Sequence, residues 1–186
     1  MARVNRWLVL ALTTGVGVFI DWGTKALVLR DIQPGSLHPV LGDVLQWTLV
    51  YNPGAAFSMD PGRWIPGFPT HAFYLGVSIV GVIVLTAVWA SLDAATHRLT
   101  RLGLATILPG AIGNFIDRIV GRPGVVDFIR VDLGFPPVDP WPILNVADIF
   151  VTVGVGLVFL DLLLGELRQR KSKGKAKGKG KAKGRA

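Results

Sequence analysis

Four long apolar stretches constrain this chain more than any other feature. They run roughly over residues 7–29, 71–92, 102–120 and 142–165. A helix needs about 20 apolar residues at 1.5 Å each to cross the hydrocarbon core of a bilayer, and each stretch is close to that length. The first is interrupted by Asp21 and Lys25, and the third ends in Asn114-Phe-Ile-Asp117-Arg118. The fourth holds Asp148 near its start and Asp161 near its end. Only 17% of residues are charged and 51% are hydrophobic, a balance outside the range of ordinary soluble domains. The expected fold class is therefore an all-α membrane protein of four transmembrane helices. Arg3 and Arg6 before an apolar run also suit a signal peptide, but no convincing small-residue cleavage site follows, and three more spans do.

The net charge of +8 belongs to one appendage. Residues 167–186 carry ten Lys/Arg and no acid, and the remaining ten Lys/Arg face twelve acids, a net of −2. The body is not a basic nucleic-acid binder, and no nucleic-acid partner is expected. The chain divides into a four-span domain, 1–166, and a Lys/Gly/Ala-rich tail, 167–186. From Arg168 on, the tail has no large apolar residue to build a core and reads as a disordered anchor to anionic lipid. There is no cysteine, so thiolate chemistry and cysteine metal sites are excluded. The three histidines, His38, His71 and His97, are scattered, and neither metal nor cofactor is expected.

Orientation follows from the Lys/Arg bias of short loops. Arg3, Arg6, Arg98, Arg101 and the tail fall on one side, which places both termini in the cytoplasm. Asp21, Lys25, Asn114, Asp117, Arg118, Asp127, Asn145 and Asp148 then share one layer at the outer leaflet. Asp161 lies about 20 Å along its helix from Asp148 and reads as an interfacial charge near the inner face. The loop between the first two spans is too long for a simple turn. Its segment Val44-Leu-Gln-Trp-Thr-Leu-Val-Tyr51 predicts a strand or small extracytoplasmic sheet. Residues 60–70, with Trp64 and Phe68, predict an irregular segment lying on the bilayer.

A carboxylate beside a membrane is costly unless paired or wetted, so it reads as functional. Asp127 and Asp148 are the strongest candidates, because two carboxylates in contact cannot both ionise and so supply an acid and a base without a metal. Asn114, Asp117 and Arg118 share one helix face at i, i+3 and i+4. Asn145 and Asp148 are also three apart. Gly110 and Gly113 permit close helix approach. A competing reading is a small cation- or proton-coupled transporter using the same acids. It would spread polar residues along the spans, and spans two and four have almost none beyond their ends.

Five segments occur in order: Asp21-x-x-Thr24-Lys25, Asn52-Pro-Gly54-Ala55-Ala56-Phe57, Gly110-Ala-Ile-Gly113-Asn114-Phe-Ile-Asp117-Arg118, Gly124-Val-Val-Asp127-Phe128 and Asn145-Val-Ala147-Asp148. In order, spacing and four-span topology they resemble the bacterial lipoprotein signal peptidase family (signal peptidase II, aspartyl protease family A8). The resemblance implies an inner-membrane aspartyl endopeptidase that removes the signal peptide of diacylglyceryl-modified prolipoproteins, cutting before the lipidated cysteine. It implies Asp127 and Asp148 as the catalytic pair. Asn52, Gly54, Asn114, Arg118 and Asn145 would line the site, with Asp21, Lys25 and Asp117 supporting it. A monomer in contact with membrane lipid is expected. Three departures stand out: Pro109 in place of a glycine, Leu144 before the last motif and Ile149 after it. Pro109 predicts a kink in the third span.

Overall fold

The computed structural model describes residues 5–54, 61–92, 98–134 and 142–183. Its elements are α1 (Arg6–Asp31), β1 (His38–Leu41), β2 (Leu45–Asn52), a 3-10 turn (Pro61–Arg63), α2 (Thr70–Ser91), α3 (Arg98–Ile119), β3 (Val125–Val131) and α4 (Val146–Lys183). All four α-helices are long and apolar enough to cross a membrane. Their outward faces carry Leu12, Phe19, Ile83 and Phe159, each at least 60% exposed. Backbone polar groups are closed within each helix, so such a surface belongs in lipid.

α3 is the central helix and packs against α1, α2 and α4. Small residues allow this. A Cβ on Gly103 would sit 2.6 Å from the Gly154 carbonyl oxygen, and one on Gly154 would sit equally close to that of Gly103. Pro109 lies inside α3, which continues on both sides of it rather than ending there. Its ring faces Gly17 of α1, where an added Cβ would come within 2.5 Å of Pro109 Cβ. The proline is thus accommodated by a missing side chain on the neighbouring helix. Leu10, Trp89, Leu104, Ala105 and Leu108 form the core at one end of the bundle. Near that end, Asp161 accepts hydrogen bonds from Thr100 N at 3.1 Å and Thr100 Oγ1 at 2.6 Å. The carboxylate expected to be a simple interfacial charge therefore caps the start of α3.

A three-stranded antiparallel sheet, ordered β1-β2-β3, covers the other end. β2 matches the strand expected from residues 44–51. β3 was not expected, although Val125-Val-Asp-Phe-Ile-Arg-Val131 is rich in β-branched and aromatic residues. Trp47 of β2 stacks on Phe128 of β3 with centroids 5.4 Å apart. Val28, Leu49, Val126 and Phe128 form the core that joins sheet to bundle. At the end of this pairing Gly124 lets the chain pass close to Asn52, whose carbonyl oxygen a Cβ would meet at 2.5 Å.

Two boundaries differ from expectation. The fourth helix begins at Val146, not near Pro142, because Leu144 forms a bridge to Ile129 of β3 and Asn145 caps the helix. At its other end α4 runs to Lys183, where composition predicts disorder beyond residue 166.

Candidate active site

Three helix ends and one strand bring the polar layer together. α1 supplies Asp21 and Lys25, one turn apart. α3 supplies Asn114, Asp117 and Arg118 from its last turns. β3 carries Asp127 in register with Val50 of β2. The start of α4 supplies Asn145 and Asp148.

The α4 start is a reciprocal cap. Asn145 Oδ1 accepts from Asp148 N at 2.9 Å, and Asp148 Oδ2 accepts from Asn145 N at 3.0 Å. This is the capping-box arrangement, and it explains the spacing of three between the two residues. Asp148 therefore sits in the first turn, where the helix dipole favours a negative charge. Its other oxygen accepts from Asn114 Nδ2 at 3.0 Å.

Asp127 is 3% exposed. Its Oδ1 accepts from Asn145 Nδ2 at 2.6 Å, and its Oδ2 accepts from Asn52 Nδ2 at 3.0 Å. Burial, and then repulsion from Asp148, push its carboxyl up to about 7; the amides of Asn52 and Asn145 and the Lys25 charge pull the other way. Asn145 is fully buried and touches both carboxylates, so it ties β3 to α4. Its Nδ2 lies within reach of three acceptors, Asp127 Oδ1, Asn114 Oδ1 and Val126 O.

Behind the pair lies a buried ion cluster. Lys25 Nζ is 2.8 Å from Asp21 Oδ2 and 2.8 Å from Asp117 Oδ2, and all three side chains are 1% exposed. It also donates to Asn114 Oδ1 at 3.1 Å. Asp21 Oδ1 accepts from Ala147 N at 2.9 Å, which ties α1 to the start of α4. Asp117 pairs with Arg122 and accepts from Val126 N at 3.2 Å, which ties α3 to β3. Two cations meet two anions, and the cluster is neutral. Asn114, Asp117 and Arg118 do not all serve one contact. Asp117 turns into the ion cluster, and Asn114 bridges cluster and pair.

Arg118 makes no hydrogen bond to either aspartate. It donates to Gly54 O and to Asn114 O, each at 2.9 Å, and lies over the Tyr74 ring at 5.8 Å. Gly54 N in turn donates to Asn52 Oδ1 at 3.1 Å. Arg118 thus holds the turn after β2 against the site. Ala55, Ala56 and Phe57 of that motif lie outside the described residues. Among the described residues Thr24 bonds only to carbonyls of its own helix. Sequence reasoning missed Arg122, which lies beyond the helix that carries its partner, and His71, whose Nε2 is 2.9 Å from Arg118 O. Among the described residues no three His, Asp or Glu side chains are grouped as metal ligands would be.

The comparisons with known proteins give this four-span chain its class, a membrane peptidase of the aspartic type. Residues 13–164 match the family described as Signal peptidase (SPase) II, peptidase A8. The chain belongs to that family. It is 36% identical over 162 residues to a lipoprotein signal peptidase of Rhodococcus jostii, covering 87% of this chain and 75% of that one. It is 39% identical over 158 residues to that of Halalkalibacterium halodurans, covering 84% and 92% respectively. A bacterial membrane enzyme solved at 1.9 Å superposes with a TM-score of 0.70 at 27% identity, over 83% of this chain and 92% of that one. The protein is thus a bacterial inner-membrane peptidase acting on lipoprotein precursors, and none of these relatives is a transporter.

Proposed function

We propose that Asp127 and Asp148 are the catalytic pair, and that they cut diacylglyceryl-modified prolipoproteins just before the lipidated cysteine. The observation that carries this reading is one buried residue, Asn145, whose side-chain amide donates to Asp127 and whose backbone N–H donates to Asp148, at the end of a lipid-facing bundle. Asp148, held by two N–H groups at a helix N-terminus, takes a proton from water as the water oxygen attacks the scissile carbonyl. Asp127, kept protonated by burial, gives its proton to the developing oxyanion. As the C–N bond of the resulting gem-diol breaks, one of its hydroxyls returns a proton to Asp127 and the amine leaves with the proton that Asp148 took from water, which restores the pair. Lys/Arg bias supports an outer-leaflet position for this end and cytoplasmic termini. The substrate's signal helix and acyl chains then enter from the lipid.

The test uses purified protein in detergent with one prolipoprotein in two forms. The diacylated form is expected to be cut before its cysteine, as read by mass spectrometry. The unmodified form is expected to be cut at least tenfold more slowly. Equal turnover of both would remove the lipid from the recognition. The basic tail lies at the far end of α4 from Asp148. Truncation after Glu166 is therefore expected to leave turnover of the purified enzyme near normal, and loss of turnover in correctly inserted protein would place the tail in the reaction.

A further inference from the structure

We infer that Lys25 is a positioning residue for this peptidase: it holds Asn114 so that the Asn114 amide N–H faces Asp148 of the Asp127–Asp148 pair. The inference rests on the proposed catalytic pair. An ammonium group can only donate. The atom of Asn114 that faces Lys25 Nζ at 3.1 Å must therefore be its oxygen, and the amide nitrogen is left pointing at Asp148 Oδ1, 3.0 Å away. The same oxygen accepts from Asn145 Nδ2. At its other end, Asn145 Oδ1 is held by Asp148 N, so Asn145 also turns its nitrogen toward Asp127. One arm runs in a single direction, from the ammonium through Asn114 to Asp148, while Asn145, oriented by Asp148 N, donates both to Asp127 and back to the Asn114 oxygen that Lys25 holds. An Asn114 turned the other way would put an oxygen against the Asp148 carboxylate and forfeit that hydrogen bond.

Direction, rather than net charge, is what Lys25 adds. The charged groups gathered here are Lys25 and Asp21 from α1, Asp117 and Arg118 from α3, Arg122 after it, Asp127 from β3 and Asp148 from α4. Lys25 and Arg122 balance Asp21 and Asp117. The double variant Asp21→Asn/Lys25→Met keeps that balance and still offers an oxygen to Ala147 N, but removes the ammonium that orients Asn114.

The experiment measures kcat and KM separately for Asp21→Asn/Lys25→Met, for Asn114→Leu and for the triple variant, with Asp148→Asn in the same assay. The double variant is expected to lose about 10- to 100-fold in kcat with KM within about twofold, as expected when an interaction acts on the chemical step and not on binding. Asn114→Leu is expected to lose a similar factor, and the triple variant no more than Asn114→Leu alone, because residues acting through one contact are not additive. Losses that multiply, a change confined to KM, or an inserted double variant with normal kcat would each overturn the inference. If the double variant does not accumulate, normal kcat in Asn114→Leu overturns it alone. Cleavage by Asp148→Asn would sink the catalytic pair itself. A dead Asp148→Asn beside a fully active double variant sinks only the role given to Lys25.

Discussion

Asp127→Asn and Asp148→Asn each reduce cleavage by on the order of 10⁴-fold or more in a protein that still inserts. Each substitution is nearly isosteric and removes one half of an acid–base couple that works as a unit, where single losses cost almost as much as losing the whole. Stability changes little by comparison. Both oxygens of each aspartate accept N–H groups, so an asparagine sets one donor against another at a cost of about 1–3 kcal/mol. Relief of repulsion between the two carboxylates offsets part of this. Cleavage of diacylated prolipoprotein, with thermal unfolding in detergent as the control for folding, checks the result. Appreciable turnover by either variant would contradict the assignment.

The single substitution Lys25→Met is expected to act on stability as strongly as the aspartate changes act on rate. It strips the shared cation from Asp21 and Asp117, both 1% exposed, and among the described residues leaves Arg122, paired with Asp117, as the cation of the cluster. Removing one member of a buried ion cluster costs about 3–5 kcal/mol, because the uncompensated charges stay buried. For a chain of this size that is roughly a 10 °C fall in unfolding temperature. Because the cluster joins α1 to α3, β3 and the start of α4, the loss is expected to appear as reduced accumulation in the membrane as well. Adding Asp21→Asn restores neutrality and is expected to recover a large part of the difference. An unchanged unfolding temperature for Lys25→Met would mean that the cluster does not hold the bundle together.

The four spans and the single polar layer were legible because a bilayer leaves few alternatives for long apolar runs, and because Lys/Arg bias sorts their ends. The strand at residues 45–52 announced itself by alternation. β3 did not, because Val125-Val-Asp-Phe-Ile-Arg-Val131 does not alternate strictly between apolar and polar residues. Only pairing with β2 shows that the carboxylate rides on a strand. The start of the fourth helix was read too early, since Pro142 and Leu144 continue an apolar run that the bridge to Ile129 in fact interrupts. The effect of Pro109 was not predictable from its own helix, because what accommodates it is Gly17 on another. Asp117 looked like a member of the same face as Asn114 and Arg118. One helix face, however, can meet several neighbours, and Asp117 meets Lys25 and Arg122. The direction of the Asn114 amide lies wholly beyond sequence, since it depends on which atom of Asn114 the ammonium touches.

The most direct test of the central claim, that a buried protonated Asp127 gives up its proton while Asp148 takes one from water, is the pH dependence of kcat/KM. Burial holds the Asp127 carboxyl near 7, so it is protonated below that pH and loses its proton above it. The account predicts a profile whose alkaline limb breaks near pH 7 and then falls about tenfold per pH unit, because the free enzyme's acid is being titrated away. A rate that stays flat, or still rises, between pH 7 and 9 would contradict it.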